Sequence, residues 1–335
     1  MAKVAVMGAG SWGTALALQL SQNAHEVWLW GHNPQHIQAL CEHRANQRYL
    51  PHYAFPPNLR PTADLAEALR GAELLLIVVP SHAFSETLAR LKRFASDEQI
   101  PLPPIMWAIK GFEAETGRLL TEVFHEHFGE HSHAILAGPS FAKEVAAQNP
   151  TAVTIAARRT EEAQRFAQYV YGKRFLCYTS TDLIGVQIGG AVKNVIAIAT
   201  GIADGLGLGA NTRALLITRG LHEIRRLNNA LGGERETLMG LAGLGDLMLT
   251  CTDNQSRNRR FGLLLGAGKS ALEAKAEIGQ TVEGEGAAFD AFQLAKRFGV
   301  YMPITEHLVQ LLSGEIELEA CVQSLLNRSI KTEYA

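Results

Sequence analysis

The chain contains little cysteine, and what it has is scattered. Four cysteines occur in 335 residues, at positions 41, 177, 251 and 321, and no two form a Cys-x-x-Cys pair. A disulfide framework or a zinc knuckle would need closely spaced cysteines, so neither is predicted. A reducing compartment such as the cytoplasm is the simpler expectation.

The chain also lacks an excess of charge of one sign and a long hydrophobic run. The 31 Lys and Arg against 33 Asp and Glu give a net charge of -2, so no global positive field would attract nucleic acid or an anionic membrane. The sequence starts directly with a strand-like segment, without the charged and apolar regions of a signal peptide. No apolar run reaches the roughly 18 residues of a membrane helix. We therefore expect a globular protein with no nucleic-acid partner and no membrane insertion.

Glycine, by contrast, is in mild excess. The 31 glycines make up about 9% of the chain, against an average of about 7% in proteins. Ten of them lie in residues 1–181 and 21 in residues 182–335. Because glycine disfavours helix interiors by about 1 kcal/mol relative to alanine, we expect the later glycines, which cluster at 189–190, 201–209 and 240–245, to bring the backbone close to a substrate cleft.

The hydrophobic pattern divides the chain into two parts. In the first, short runs rich in Val, Ile, Leu or Trp alternate with helical patterns, which is typical of a parallel sheet flanked by helices. Beyond 181–185, amphipathic helical segments dominate, among them one with a Ser270-x-x-Glu273 capping box and one that would begin at Pro303. The predicted strands are Lys3–Met7, Glu26–Trp30, Leu74–Val79, Ile105–Ile109, His133–Ala137 and Ala152–Ala156.

A glycine-rich loop follows the first predicted strand. Gly8, Gly10 and Gly13 form a GxGxxG motif that opens a helix, and the next strand ends about eighteen residues later. In this context the glycines permit a tight turn, the approach of a pyrophosphate and the packing of the helix on the sheet. Free N–H groups at the helix N-terminus would face the phosphates. We therefore expect an α/β fold, with a Rossmann-like dinucleotide-binding domain over residues 1–181 and an all-α substrate domain over residues 182–335.

The end of the second predicted strand lacks the acid that would bind an adenosine ribose. The sequence there is Trp30-Gly31-His32-Asn33. An Asp or Glu at this place would disfavour a 2′-phosphate, whereas a small polar site with His32 could accept one. NADPH is therefore plausible as the cofactor, and NADH stays open.

Two lysines occupy positions where a charge is unusual. Lys110 follows a predicted strand, at the carboxyl edge where ligands of open α/β sheets bind; a solvated loop charge is the alternative. Lys193 lies in the apolar helix 186–200, and burial would lower its pKa, as a proton-transferring lysine needs near neutral pH. Snorkelling of Lys193 to the surface is the alternative. Asn194 beside it could hold a substrate oxygen or cap a turn.

A polar run rich in arginine and asparagine follows Gly243-Leu244-Gly245-Asp246. Residues 250–260 read TCTDNQSRNRR, and a planar guanidinium there could grip a phosphate bidentately. Nucleic-acid contact is the alternative use of these arginines, and the balanced net charge and the absence of interleaved aromatics disfavour it.

Four histidines, at positions 125, 127, 131 and 133, stand close together in the sequence. Within their predicted helix they lack a metal-ligating pair at i, i+4 spacing. We expect a solvated surface here, and the sequence predicts no metal.

Several long motifs cover the chain from about residue 3 to about residue 310. Among them are GAGSWGTALA, LAGPSFAKEVA, AVKNVIAIATG, GLAGLGDLMLTCTDNQSRNRRFG and GQTVEGEG. In these motifs the chain resembles the bacterial NAD(P)-dependent glycerol-3-phosphate dehydrogenases. The resemblance implies reversible conversion of sn-glycerol 3-phosphate into dihydroxyacetone phosphate with NADPH/NADP or NADH/NAD, mainly as a reductase that feeds phospholipid synthesis. It also allows a homodimer through the helical domain.

The resemblance further implies roles for individual residues. Lys193 would donate and accept the proton, Lys110 would add electrostatic stabilisation, and Asp246 would orient Lys193. With the glycine loop, the expected cofactor contacts are Gly8, Gly10, Ser11, Trp12, Gly13, His32, Lys110, Ala142, Arg257, Val282 and Glu283. The expected substrate contacts are Lys110, Gly138, Ser140, Lys193, Asn194, Asp246, Ser256, Arg257 and Asn258. After Glu283 the sequence is Gly-Glu-Gly-Ala rather than the bulkier residues expected, which weakens the case for contacts there.

Two other functions fit parts of the sequence. A dehydrogenase of the same two-domain plan that acts on a β-hydroxy acid would use Arg257 to bind a carboxylate. A non-catalytic dinucleotide sensor would need the glycine loop but would have no use for a buried Lys193.

Overall fold

The computed structural model describes residues 1–114 and 116–326, and it confirms the predicted fold class. An eight-stranded sheet with flanking helices extends to Ser180, and helices follow from Leu183 onward. Residues 327–335 of the expected second domain lie outside the described residues.

Ten strands lie in the part of the chain that the structure describes. They are β1 (Lys3–Met7), β2 (Glu26–Trp30), β3 (Ala45–Asn46), β4 (Leu50–Ala54), β5 (Leu59–Thr62), β6 (Leu74–Ile77), β7 (Ile105–Trp107), β8 (His133–Ala137), β9 (Thr151–Ala156) and β10 (Phe175–Ser180). The main sheet has the order β10-β9-β8-β7-β6-β1-β2-β5, and β3 pairs with β4 in a separate hairpin. The strand order reverses between β1 and β6, and the carboxyl edge at such a point is where open α/β sheets bind ligands.

The structure differs from the predicted sheet in three ways. Four strands, β3, β4, β5 and β10, are absent from the predicted set. The first three are short and have no continuous apolar run, and β10 has one of only four residues, Phe175–Tyr178, at the edge of the sheet. The strands predicted to reach Val79 and Ile109 end at Ile77 and Trp107. The sheet is also not wholly parallel, since β9 pairs antiparallel to β8 and parallel to β10.

Sixteen α-helices lie in the described residues. They are α1 (Ser11–Gln22), α2 (Pro34–His43), α3 (Leu65–Leu69), α4 (Phe84–Asp97), α5 (Leu120–Phe128), α6 (Ala142–Ala146), α7 (Thr160–Val170), α8 (Leu183–Gly205), α9 (Gly209–Ala230), α10 (Arg235–Met239), α11 (Asp246–Thr252), α12 (Arg257–Gly266), α13 (Ala271–Ile278), α14 (Glu283–Arg297), α15 (Pro303–Leu312) and α16 (Leu318–Leu326). The predicted capping box of Ser270 begins α13, and Pro303 begins α15. A 3-10 turn covers Ser81–Ala83, and a π-helical turn covers Leu241–Gly245.

Helix α8 forms the centre of the second half. The helix has 23 residues and is long enough to cross a membrane. Its most apolar 18-residue window has a mean hydropathy of 1.5, but 83% of that window is buried inside the protein. It packs against α9, α11, α12 and α14. The expectation that no apolar segment reaches membrane-spanning length is therefore wrong, and the burial of α8 identifies it as a core helix.

Four glycines let α8 and α12 meet backbone to backbone. Gly201 and Gly205 of α8 face Gly262 and Gly266 of α12. A methyl group on Gly262 would collide with the carbonyl oxygen of Ile198. A methyl group on any of the other three glycines would likewise collide with backbone atoms of the facing helix. The expectation that the clustered glycines serve a substrate cleft is therefore wrong for Gly201 and Gly205, which serve helix packing together with Gly262 and Gly266.

We expect the substitution Gly262→Ala to lower the free energy of unfolding by about 1–3 kcal/mol, because an added methyl group overpacks this contact. Gly286→Ala is the matched control. Gly286 lies in α14 with open space beside it, so alanine should stabilise that helix by up to about 1 kcal/mol. Urea denaturation measures both, and a Gly262→Ala protein as stable as the parent would contradict the packing argument.

Candidate active site

The glycine loop has the backbone geometry that its motif predicts. Gly8 has a φ of +121°, and a methyl group on Gly13 would collide with the Gly8 carbonyl oxygen. A methyl group on Gly10 would meet no atom within 4 Å, so the space beside it is open. No side chain caps the first turn of α1, which begins at Ser11. Open space next to uncapped N–H donors fits a pyrophosphate.

The other residues expected to contact the cofactor surround this loop. The Ser11 hydroxyl donates to the carbonyl oxygen of Tyr49 at 2.5 Å, so its backbone N–H is what remains for a ligand. The indole nitrogen of Trp12 is buried without a partner among the described residues. Trp12 and Ala142 pack against the same core cluster. His32 is exposed immediately after β2.

Three charged side chains from different elements meet next to the sheet edge. Lys193 lies in α8, Asp246 begins α11, and Lys110 lies three residues after β7. The Lys193 Nζ donates to Asp246 Oδ1, and the Lys110 Nζ lies 2.7 Å from Asp246 Oδ2. Lys193 and Asp246 are buried, and Lys110 is half-buried. The carboxylate therefore holds one lysine on each oxygen.

The local fold explains why Asp246 faces Lys193. Asp246 is the first residue of α11 and follows the π-helical turn 241–245, and a negative charge is stabilised at a helix N-terminus. Gly189 of α8 packs against the carbonyl of Ala242 in that turn, where a methyl group would collide. This glycine lets α8 approach closely enough for Lys193 to reach the carboxylate.

Thr250, which was not among the predicted site residues, completes the surroundings of Lys193. Its hydroxyl donates to the carbonyl oxygen of Asp246 at 2.6 Å, and it accepts from the Lys193 Nζ at 2.8 Å. Asp246 and Thr250 thus take two of the three N–H groups of the ammonium, and one is left for a ligand. The i, i+4 spacing of Asp246 and Thr250 on a helix is the signal that could have identified Thr250.

Burial changes the proton affinity of Lys193. Desolvation lowers the pKa of Lys193 to about 8, and the carboxylate of Asp246 opposes this shift while the positive charge of Lys110 adds to it. An amine with a pKa near 8 is present in both protonation states close to neutral pH. It can therefore both give and take a proton.

The loop after β8 carries two of the predicted substrate contacts, Gly138 and Ser140, and Gly138 contacts Lys110. The Gly138 carbonyl oxygen accepts from Lys110 Nζ at 3.0 Å and from the Ser140 hydroxyl at 2.9 Å. Gly138 has a φ of +135°. A methyl group on Gly245 would lie 3.7 Å from Pro139 Cδ, so this loop lies against the turn that precedes α11.

The start of α12 supplies the expected anion-binding residues. Ser256 is the N-cap and accepts from the Arg259 N–H at 3.2 Å. Arg257 is half-exposed and donates to the side chain of Gln280 at 3.3 Å. Just before α12, Gln255 donates to Glu144 of α6 at 2.7 Å, which links this segment to the helix that carries Ala142.

Asn258 of α12 and Asn194 of α8 both contact the start of α14. Asn258 Oδ1 accepts from the Gly284 N–H at 2.9 Å. A methyl group on Gly284 would lie 2.8 Å from the carbonyl oxygen of Asn194. Val282, the N-cap of α14, and Glu283, its first residue, are therefore next to these asparagines.

Not every residue of the arginine-rich run is available to a ligand. Arg259 is buried, forms an ion pair with Asp204, and donates to Asn254 and to the carbonyl oxygen of Cys251. Its role is structural, whereas Arg257 reaches Gln280, three residues before α14.

Two of the four histidines, His125 and His133, do not belong to the solvated surface that the sequence suggested. His133 is buried, and its ring stacks on Trp107 at 5.5 Å, while the His125 ring lies 5.1 Å away. Burial lowers the pKa of both histidines. In residues 1–114 and 116–326, no group of three or more His, Cys, Asp or Glu side chains could hold a metal ion.

Known proteins share both halves of this architecture. The family described as NAD-dependent glycerol-3-phosphate dehydrogenase matches with its N-terminal part at residues 3–163 and its C-terminal part at residues 182–323. Glycerol-3-phosphate dehydrogenase [NAD(P)+] of Serratia proteamaculans is 52% identical, over 99% of this chain and 97% of that protein. The corresponding protein of Shewanella frigidimarina is 50% identical, over 99% and 98%.

Solved structures agree with these sequence matches. The crystal structure of glycerol-3-phosphate dehydrogenase from Coxiella burnetii has a TM-score of 0.93 at 46% identity, and covers 98% of this chain and 99% of that one. A D-mandelate dehydrogenase has a TM-score of 0.64 at 14% identity and shares the fold alone. The chain belongs to the NAD-dependent glycerol-3-phosphate dehydrogenase family.

Proposed function

We propose that this chain interconverts sn-glycerol 3-phosphate and dihydroxyacetone phosphate with NAD(P) as the cofactor. The observation that carries the proposal is the buried cluster of Lys193, Asp246 and Lys110. It lies at the carboxyl edge of a dinucleotide-binding sheet and combines a proton-transferring amine with a second cation. A binding protein that only senses a dinucleotide has no use for this cluster.

The chemistry divides between the cofactor and these side chains. Bound NAD(P)H supplies the hydride that reduces the C2 carbonyl carbon. The third N–H of Lys193 protonates the oxygen as negative charge develops on it, and the Lys110 ammonium stabilises the same charge. Asp246 holds both amines in place. In the oxidative direction, neutral Lys193 takes the proton from the C2 hydroxyl.

The remaining residues divide into two binding sets. The glycine loop, with Gly8, Gly10, Ser11, Trp12 and Gly13, would hold the pyrophosphate. His32 would face the adenosine ribose, and Lys110, Ala142, Arg257, Val282 and Glu283 would approach the nicotinamide half. Gly138, Ser140, Lys193, Asn194, Asp246, Ser256, Arg257 and Asn258 would surround the substrate. A phosphate held at the start of α12 would fix C2 against Lys193, because binding of a remote group sets the reaction geometry.

We also propose how the chain is organised and where it works. The division at residues 181 and 182 is supported by the end of β10 at Ser180 and by the Asp182 side chain, which caps α8 by accepting from the Gly185 N–H at 2.8 Å. We place the enzyme in the cytoplasm, mainly as a reductase that supplies phospholipid synthesis. We expect a homodimer through the helical domain, and analytical ultracentrifugation tests it.

The experiment that tests the function compares NADPH oxidation with dihydroxyacetone phosphate and with dihydroxyacetone. We expect the phosphorylated substrate to have a kcat/KM higher by on the order of a thousand-fold, since an unpaired anion site penalises the analogue that lacks the charge. Equal rates on the two ketones, or a preference for a β-hydroxy acid, would favour the related dehydrogenase. Absence of any turnover would favour the sensor.

The substitution Arg257→Ala tests where the phosphate binds. We expect the KM for dihydroxyacetone phosphate to rise about 10- to 100-fold, because hydrogen bonds to a charged group contribute about 1.5–3 kcal/mol. Arg70→Ala is the control, since Arg70 is exposed and pairs with Glu98 at 3.1 Å. An unchanged KM for the Arg257→Ala protein would place the phosphate elsewhere.

A further inference from the structure

The groups for proton transfer and the groups for anion binding lie on different helices. Lys193 belongs to α8 and its partner Asp246 begins α11, whereas Arg257 is the first residue of α12. Residues 253–256 form the linker between α11 and α12. A substrate whose phosphate is held at the start of α12 meets Lys193 correctly only if these helices keep a fixed spacing, because a displacement of about 1 Å can cost a factor of about 10² in rate. The contacts that fix this spacing are therefore part of the catalytic geometry.

The side chain of Arg259 connects the three segments involved. Its Nε donates to the carbonyl oxygen of Cys251 at 3.1 Å, in the last turn of α11. One terminal nitrogen, Nη1, donates to the side-chain oxygen of Asn254 in the linker. The other, Nη2, donates to Asp204 Oδ2 at 2.5 Å, near the end of α8. One planar guanidinium thus holds the end of α11, the linker and the end of α8.

Asp204 is held by two arginines and lies where a helix disfavours its charge. It is the last residue but one of α8, and a carboxylate near a helix C-terminus opposes the helix dipole. Both of its oxygens accept from Arg213 of α9 at 2.9 Å, and one also accepts from Arg259. The side chains of Asp204 and Arg259 are 10% and 8% exposed. A buried ion pair is weak evidence for stability, so stability alone does not account for a carboxylate at this end of the helix.

The backbone of Arg259 is also packed on α8. A methyl group on Gly201 would collide with the Arg259 carbonyl oxygen, so the two helices meet here without an intervening side chain. Arg257 and Asn258 precede Arg259 in the first turn of α12, so its position sets the position of both side chains. Because the glycine contact holds α12 on α8 by itself, weaker side-chain contacts should loosen the linker without unfolding the protein.

We propose that Arg259, held by Asp204, is a positioning residue that fixes the phosphate-binding start of α12 relative to Lys193, so that the enzyme prefers a phosphorylated ketone to the ketone without phosphate. The proposal rests on the proposed function and deepens it. The Nε, Nη1 and Nη2 atoms of Arg259 each donate within the protein. Arg259 therefore acts on the substrate through Arg257 and Asn258, which precede it in the chain.

The test measures the ratio of kcat/KM for dihydroxyacetone phosphate to kcat/KM for dihydroxyacetone. A loss of folded enzyme lowers both values by the same factor and leaves their ratio unchanged. In Arg259→Lys, the ammonium keeps a charge facing Asp204 but cannot reproduce the fixed fork of a guanidinium. We expect the ratio to fall by about 10-fold or more, with kcat/KM for dihydroxyacetone within about two-fold of the parent. Arg70→Lys is the matched control, since Arg70 pairs with Glu98 on the exposed surface and its substitution should leave the ratio unchanged.

A second variant leaves the buried ion pair in place. Asn254 is exposed, and Asn254→Ala removes only the linker contact of Arg259. We expect this protein to fold and its ratio to fall by about three-fold or more, and this variant decides the matter if Arg259→Lys does not fold.

A double-mutant cycle with Arg257→Ala shows the route of the effect. If Arg259 acts through Arg257, Arg259→Lys should lower the ratio by a smaller factor in the Arg257→Ala protein than in the parent, because the two residues act on the same phosphate. Independent effects that multiply in the double variant would contradict this route.

The outcomes separate this proposal from the proposed function. A parent that prefers dihydroxyacetone phosphate while Arg259→Lys and Asn254→Ala keep the parental ratio would overturn the positioning role alone. Equal losses on both ketones would do the same, because they would show that Arg259 only supports the fold. A parent without any preference for the phosphorylated ketone would overturn the proposed function and this proposal together.

Discussion

The Lys193→Met protein is expected to fold, to bind NADPH, and to lose nearly all reduction of dihydroxyacetone phosphate, by roughly a thousand-fold or more. General acid catalysis contributes about 10²- to 10⁴-fold, and a buried charge that stabilises an oxyanion adds to this. Methionine fills similar volume without an N–H donor. Asp246 stays paired with Lys110 in this variant, so its carboxylate is not left alone.

The pH dependence of the parent enzyme is the second measurement on Lys193. Burial lowers the pKa of Lys193 to about 8. Reduction needs the ammonium, so its rate should fall as the pH rises through about 8. Oxidation needs the neutral amine, so its rate should rise with pH and level off above about 8. The pH profiles of reduction and of oxidation should therefore have opposite slopes and the same midpoint, near pH 8.

Lys269→Met is the matched control for this experiment. Lys269 is exposed and pairs with Glu277 on the surface, so its loss should leave the pH profiles of reduction and of oxidation unchanged. Cofactor affinity, measured by calorimetry, shows that the Lys193→Met protein is folded. Appreciable residual turnover in that protein, or a reduction rate that stays flat across pH 8, would remove Lys193 from proton transfer.

The sequence was most informative where one local property decides the structure. Gly8 needs a positive φ and Gly13 has no room for a side chain, and both needs are visible in a GxGxxG motif after a strand. The burial of Lys193 followed from the apolar residues on nearly every face of α8 around it. The same reasoning could not identify its partners, because Asp246 and Lys110 approach from positions 53 residues ahead and 83 residues behind it.

Long-range packing explains the other differences. The direction of β9, which runs antiparallel to β8, depends on where the chain returns to the sheet after α6. No local sequence pattern determines that position. Arg259 and Arg257 look alike in the sequence, but the helix turns one towards Asp204 and the other towards Gln280. His133 is the first residue of a strand that is buried along its whole length, so it is buried although the two residues before it, His131 and Ser132, are polar.

Replacing Asp246 by asparagine should damage the protein more broadly than the loss of Lys193. The substitution leaves two ammonium groups facing each other with no carboxylate between them. Removing one partner of a buried ion pair costs about 3–5 kcal/mol, so we expect a loss of this size in the free energy of unfolding at neutral pH. The amide can accept a hydrogen bond on one oxygen, but its NH₂ group points at the second lysine.

The same substitution should shift the pH profile of the reduction rate. The Asp246 carboxylate is the group that raises the pKa of Lys193 against burial, so without it the pKa should fall below 8 and the rate of reduction should decline at lower pH than in the parent. The double variant Lys110→Met/Asp246→Asn removes the facing cation and should recover part of the lost stability without recovering the rate. If the Asp246→Asn protein is as stable as the parent and the midpoint of its pH profile is unchanged, the carboxylate neither positions Lys193 nor raises its pKa. The free energy of unfolding and the pH profile together distinguish two roles of the carboxylate. If Asp246 sets the pKa of the proton donor Lys193, the substitution shifts the midpoint of the pH profile. If Asp246 only neutralises a buried charge, the substitution lowers stability and leaves that midpoint in place.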